Sequence, residues 1–418
     1  MTSSSGENTK ICMISSEYPP KWGGVGVVAY YLATWMAKRG HEVHVVTRKQ
    51  SLGYQSSHPN IEIHPVKWLK APMFFTTSFG KNAVKWIKRS GIGPDLIHVH
   101  SNMALLPARC YDKLDIPLVS TMHGTWKGER STINFRDLSF SISAVNDLAI
   151  MCLGPFFDRY EDLAIERSNG VITISYSECR ALKSRGVKNR YGRRIHLPNG
   201  IDVEEFHPDN RDPDLRIRYG VPGSDRIVVS VGRWAARKGI REMLEVFRRM
   251  HEERSDITFF LVGWGPLESE IRRKKRTYDL GEKLVLVRSP EHDEMQRLVA
   301  PADLAMFHSY WEGYGLTFGE ALSSGTPCVL TDVGGASEMV VEGTGKLVEV
   351  GDIEGQVKAG LELLSREDLR EWGLRGRQHI IDYCSWEDIA AKTEDFYEWI
   401  IRDPENTKGW IEGFYRCP

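Results

Sequence analysis

Short apolar runs alternate with longer amphipathic ones along the whole chain. In the first half, residues 11–15, 42–47, 61–66, 95–100, 117–121 and 171–174 are short, rich in β-branched side chains and bounded by Gly, Pro or Asp, so they read as strands. Helical patterns lie between them, for instance residues 25–38, which Gly40 closes. From residue 226 the grammar restarts. Residues 226–232, 257–263, 283–287, 303–307 and 327–331 read as buried strands, with helices over 239–252, 267–278, 291–300 and 317–324. Such alternation predicts βαβ units and mostly parallel sheets covered on both faces, an α/β class. The polar, Pro-rich stretch 206–225 marks the seam, which predicts domains over 1–205 and 206–385. A last amphipathic run, 386–418, opens at Trp386 and carries Ile389, Phe396, Trp399 and Ile400; it is expected to close back over the first domain. The architecture expected is two Rossmann-like domains facing each other across a cleft, with ligands at the carboxyl ends of the strands.

Composition changes this picture little. A chain of 418 residues is too long for one core, and 41% hydrophobic with 27% charged residues fills two. The net charge of −1 gives no global case for nucleic acid, so any phosphate must be met by local clusters. The seven cysteines are scattered without CxxC spacing, which argues against a disulfide framework and a zinc site alike. The polar opening MTSSSGENTK leads into an apolar run too short for a signal peptide or a membrane span, so a cytoplasmic protein is expected, with any membrane contact peripheral. One segment suits such contact: residues 71–91 mix Phe74, Phe75, Phe79 and Trp86 with Lys81, Lys85, Lys88 and Arg89. An ordinary amphipathic helix with a solvated basic face has the same pattern. Residues 126–170, with a Gly-Pro break at 154–155, read as helices over an acceptor pocket or as a dimer contact.

Four loops carry candidate chemistry. Residues 311–320 follow a strand and open a helix, exposing backbone N–H groups near Gly315, Leu316 and Thr317, an anion site suited to a diphosphate. Glu312 in that loop and Glu320 in the helix are carboxylates suited to vicinal hydroxyls. After the strand at 226, Arg233 and Lys238 flank one loop and can converge on the same diphosphate. After the first strand, Gly23 and Gly24 let backbone approach a ligand at another helix start. That loop is not GxGxxG, and no acidic residue ends the next strand, so a nicotinamide reading is unsupported. His123 ends the fifth strand as a cleft residue, whereas His98 and His100 read as wall or core. In isolation each of these is an ordinary surface charge or core histidine; their places after buried strands are what count.

Taken together, the segments EYPPKWGGVG, LPNGID (197–202), GRWAARKG, LVGWGPLE (261–268), the Glu312-x7-Glu320 element and GGASEMV resemble the family 4 retaining nucleotide-sugar glycosyltransferases, which have the GT-B fold. The resemblance implies that Glu320 binds the ribose, Glu312 a donor-sugar hydroxyl and the backbone of Gly315 to Thr317 the phosphates. It further implies that Arg233 and Lys238 neutralise the leaving diphosphate, that the Gly23–Gly24 loop reaches it, and that His123 lies by the anomeric carbon. No metal and no cofactor is implied beyond the donor substrate, and the acceptor is a sugar, lipid or glycan bound mainly by the first half. UDP and GDP sugars lead as donors. A nucleotide-sugar epimerase, a glycan phosphorylase or a non-catalytic subunit would share the fold.

Overall fold

The computed structural model describes residues 8–20, 23–50, 53–54, 56–71, 74–101, 114–131, 142–288, 292–405 and 415–416. The chain divides into two compact units. One joins Met1–Gly200 to Trp386–Pro418; the other is Ile201–Ser385.

The first unit is built on β1 (Lys10–Ser15), β2 (Glu42–Arg48), β3 (Ile61–Val66), β4 (Leu96–Ser101), β5 (Leu118–Met122), β6 (Gly170–Thr173) and β7 (Arg194–His196). The second holds β8 (Arg226–Val231), β9 (Ile257–Gly263), β10 (Leu284–Arg288), β11 (Leu304–Phe307), β12 (Cys328–Thr331) and β13 (Gly345–Val348). A short β14 (Tyr415–Arg416) returns to the first sheet and pairs antiparallel with β7. The strand orders are β14-β7-β6-β5-β4-β1-β2-β3 and β10-β9-β8-β11-β12-β13. Every pairing but β14–β7 is parallel. Each unit therefore has the doubly wound order, reversing direction between β1 and β4 and between β8 and β11. Coverage on both faces explains the continuous apolar runs: all seven residues of β9 are buried, as are Ile11–Ser15 of β1.

The strands predicted above, and the helices predicted over 25–38, 239–252, 267–278, 291–300 and 317–324, are present, each end within one residue of its expected place. The strands β7, β13 and β14 went unpredicted. They are two to four residues long, and the partly exposed β13 lacks a buried run.

The seam differs from expectation. The units divide at Gly200/Ile201 and again at Ser385/Trp386. A Cβ on Gly200 would overlap the Trp386 indole, so only glycine lets the first unit close there. One residue on, Ile201 N–H donates to Cys384 O at 2.8 Å, and Arg377 Nη1 donates to the carbonyls of Val203, Phe206 and Ser323 at 2.9, 3.0 and 2.7 Å. Those bonds bind residues 201–206 to the second unit. The Pro-rich stretch 206–225 is not a linker; it forms a 3-10 turn at Pro208–Asn210 and a helix at Leu215–Tyr219.

The terminal helix Trp386–Arg402 packs in the first unit through Ile389, Phe396, Tyr397 and Ile400. Buried Glu394 accepts from Arg39 and pairs with His41 Nε2 at 3.0 Å. The Gly-Pro pair at 154–155 does not break its helix, which runs Ile142–Arg167; Arg130 forks onto Asp158 there at 2.9 and 2.6 Å. Residues 132–141 of the unusual segment lie outside the described residues. In the helix Phe74–Ser90, Phe79, Ala83, Val84 and Ile87 face the core, while Lys81, Lys85, Lys88 and Arg89 are exposed. Against the expectation from cysteine spacing, Cys179 is disulfide-bonded. Among the described residues, no helix is long and apolar enough to cross a membrane.

Candidate functional site

In the second unit the sequence-predicted residues gather at the switch point, in the loops after β8 and β11. Lys238 ends a 3-10 turn, Ala236–Lys238, and the chain passes through Gly239 at φ 60° into the helix Ile240–Glu253. A Cβ on Gly239 would overlap the carbonyl oxygen of His308, so glycine lets the two loops touch. Tyr310 N–H donates to Arg237 O at 2.9 Å across the same junction. The result is that Lys238 Nζ reaches Glu312 Oε1 as a hydrogen-bonded ion pair. Ser309 Oγ donates to the same oxygen at 2.7 Å, and Thr331 Oγ1 holds the Ser309 carbonyl at 2.6 Å. The Glu312 side chain is only 8% exposed, so its charge relies on these partners.

From Glu312 the chain turns through Gly315, at φ 97°, into the helix Leu316–Ser323. Gly315 is the N-cap, offers no side-chain cap, and no acidic residue occupies the first turn. The amides of Leu316 and Thr317 thus sit at the positive end of a helix dipole, without an intrahelical acceptor. Glu320 is one turn further in. Arg233 stands exposed, its guanidinium 5.6 Å over the Trp264 ring.

Two supports escaped the sequence reading. Gly334, of the GGASEMV segment, passes under the acidic loop; a Cβ there would come 2.9 Å from Glu312 Cβ. His308, directly after β11, is buried with Nδ1 against Gln356 Oε1, and Gln356 in turn donates to Phe307 O at 2.9 Å. A histidine ending a buried strand was the available signal, the one already applied to His123.

In the first unit, Gly23 is the N-cap of the helix Gly24–Lys38, which also lacks a side-chain cap and first-turn acids. The Glu17 carboxylate lies against Gly23, so close that a Cβ there would overlap Oε2. An anion arriving at this helix start meets that negative charge first. His123 is buried with Nε2 3.2 Å from His100 Nδ1. His98, on the same strand as His100, bonds Thr121 Oγ1 at 2.7 Å and Tyr397. Burial pushes the pKa of all three imidazoles down, that of His100 to about 3, so each is neutral at ordinary pH. His98 and His100 are core residues, as expected.

Two doubly wound parallel sheets, with glycine-led helix starts after β1 and β11, define a class, the doubly wound α/β proteins. Comparison narrows it. Residues 22–205 match the model of "Glycosyltransferase Family 4" and residues 212–379 that of "Glycosyl transferases group 1". The D-inositol 3-phosphate glycosyltransferase of Corynebacterium urealyticum is 30% identical over 405 residues, 92% of each chain. The N-acetyl-alpha-D-glucosaminyl L-malate synthase of Bacillus anthracis is 26% identical over 401 residues, 93% of this chain and 97% of the relative. Among solved structures, a sucrose-phosphate synthase from Thermosynechococcus elongatus superposes with a TM-score of 0.77 at 22% identity, over 94% of this chain and all of that one. The chain belongs to the family 4 glycosyltransferases and has their GT-B fold.

Proposed function

We propose that this glycosyltransferase moves a hexose from a UDP- or GDP-sugar to an acceptor hydroxyl with retention at the anomeric carbon, using no metal or cofactor in the transfer. The observation that carries the proposal is the Lys238–Glu312 pair beside the open helix start at Gly315. A single loop junction there offers a cation, a sugar-hydroxyl acceptor and free amides. Glu320 takes the ribose hydroxyls, Glu312 a hydroxyl of the donor sugar, and the Leu316 and Thr317 amides the phosphates.

In the reaction the bond from the anomeric carbon to the diphosphate oxygen breaks, and its electron pair leaves on the diphosphate. The acceptor oxygen bonds to that carbon on the same face, and its proton passes to the departing phosphate oxygen. Arg233, Lys238 and the helix amides stabilise the growing negative charge, the largest contribution expected of fixed groups. Neutral His123 serves as a hydrogen-bonding group for the sugar, and the Gly23–Gly24 amides are an anion site of the first unit.

A thermal-shift panel of UDP, GDP and ADP with their sugars tests this, because a ligand bound by the folded state alone raises apparent stability. A clear rise with one nucleotide and its sugar is expected. No shift with any of them at millimolar concentration would remove the proposal.

A further inference from the structure

At the outer edge of the first sheet lies a cluster that the transfer reaction does not use. β3 is the edge strand, and its pairing with β2 sets His44 opposite Glu62 and Val46 opposite His64. Side chains two apart share a face, so His44, Glu62 and His64 stand together on one side of the sheet. His44 is buried, His64 is half-buried with its ring stacked on Trp86 at 4.2 Å between centroids, and Glu62 is exposed.

The proton positions follow from the neighbours. His44 Nε2 lies 2.7 Å from Glu42 Oε1, and a carboxylate can only accept, so His44 carries its proton on Nε2. In the neutral ring Nδ1 then carries the lone pair. That lone pair faces His64 Nε2 at 2.9 Å and Glu62 Oε2 at 3.6 Å. One ligand atom from each of the three residues falls within 4.8 Å of the others.

We propose that His44 Nδ1, His64 Nε2 and the Glu62 carboxylate form a binding site for a divalent transition metal, zinc being the best match. Two imidazoles and one carboxylate are a set that zinc accepts, with water as the fourth ligand. Glu42 is the outer carboxylate that orients a metal-bound imidazole and raises its basicity. Binding replaces the hydrogen bond between the two rings: His64 shifts its proton from Nε2 to Nδ1, so both ligating nitrogens offer lone pairs and no proton is released. His44 is the third residue of β2, whereas the loops of the candidate transfer site follow strand carboxyl ends. The metal ties the edge strand to its neighbour and takes no part in sugar transfer.

The test uses the full chain, stripped with a chelator that is then removed and titrated with zinc chloride by calorimetry, with cobalt(II) as a spectroscopic substitute. One equivalent of zinc should bind at micromolar concentration or below and raise the melting temperature, and cobalt should give the visible bands of a four-coordinate ion. Glu62→Gln and His64→Gln should weaken binding by about 100-fold, and Glu42→Gln by roughly 10- to 100-fold. Glu62 is exposed and Glu42 partly so, which keeps the test independent of folding. Absence of stoichiometric binding, or equal affinity in the Glu62 and His64 variants, would overturn the site.

Discussion

Lys238 and Glu312 neutralise each other, and that sets what each can do next. A buried carboxylate that loses its cation is costly, so the pair holds the two loops in register. Lys238→Ala should therefore depress kcat by roughly 100-fold or more, as expected for loss of a group that stabilises developing charge. Glu320→Ala, which removes the proposed ribose acceptor, should instead weaken binding of the nucleoside diphosphate and leave kcat closer to wild type. Steady-state kinetics and a binding titration separate the two effects, and unchanged values in both variants would overturn the site assignment. Glu17 permits a sharper test in the first unit. Its carboxylate lies against Gly23, where the phosphate-binding reading puts a negative ligand. Glu17→Gln should tighten nucleoside diphosphate binding by about 3- to 10-fold, and weaker binding would show that the Gly23–Gly24 amides do not serve the phosphates. The loops that hold Lys238 and Glu312 were legible because strand ends, glycines and helix starts leave a local mark. His308 and Gly334 were not, since their contributions are contacts with residues far away in sequence.

The terminal helix takes its place from one small residue and one buried carboxylate. Trp386 opens it against Gly200, and Glu394 fastens it to Arg39 and His41. Gly200→Ala forces a methyl into the indole, with an overpacking cost of about 1–3 kcal/mol. The urea midpoint should fall accordingly, and a variant as stable as wild type would contradict the packing described. The sequence motif LPNGID pointed to this position only by likeness; the physical reason is the ring 186 residues later. The same distance dependence explains the misplaced seam. Proline and charge in 206–225 mimic a linker, yet Arg377 draws residues 203–206 into the second unit from the far end of the domain.

Across the whole molecule, stability should respond to mild acid. His98, His100 and His123 are buried neutral, with pKa values held below the ordinary imidazole value of about 6.5. Below that value the unfolded chain takes up protons that the native one refuses. The stabilisation is complete above pH ~6.5 and is lost as pH falls, at a limiting slope of about 1.4 kcal/mol per pH unit for each histidine. Melting temperature should drop between pH 7 and 5, and His100→Gln should flatten the drop; a level profile in the wild type would show the histidines to be accessible. Acidic groups such as Glu245, held down to about 2 by its arginine partners, respond at lower pH and leave this window clear.

What the sequence by itself determined is the series of strands and helices, the doubling of the Rossmann pattern and the loops worth examining. Periodicity, glycine placement and helix starts are local, and they are written where they act. Only the tertiary structure decided where the units divide, which glycines are steric necessities, that Lys238 pairs with Glu312, and that three residues of the edge strand and its neighbour converge. Each of these is set by atoms that meet across tens or hundreds of residues, and chain order alone carries no record of such meetings.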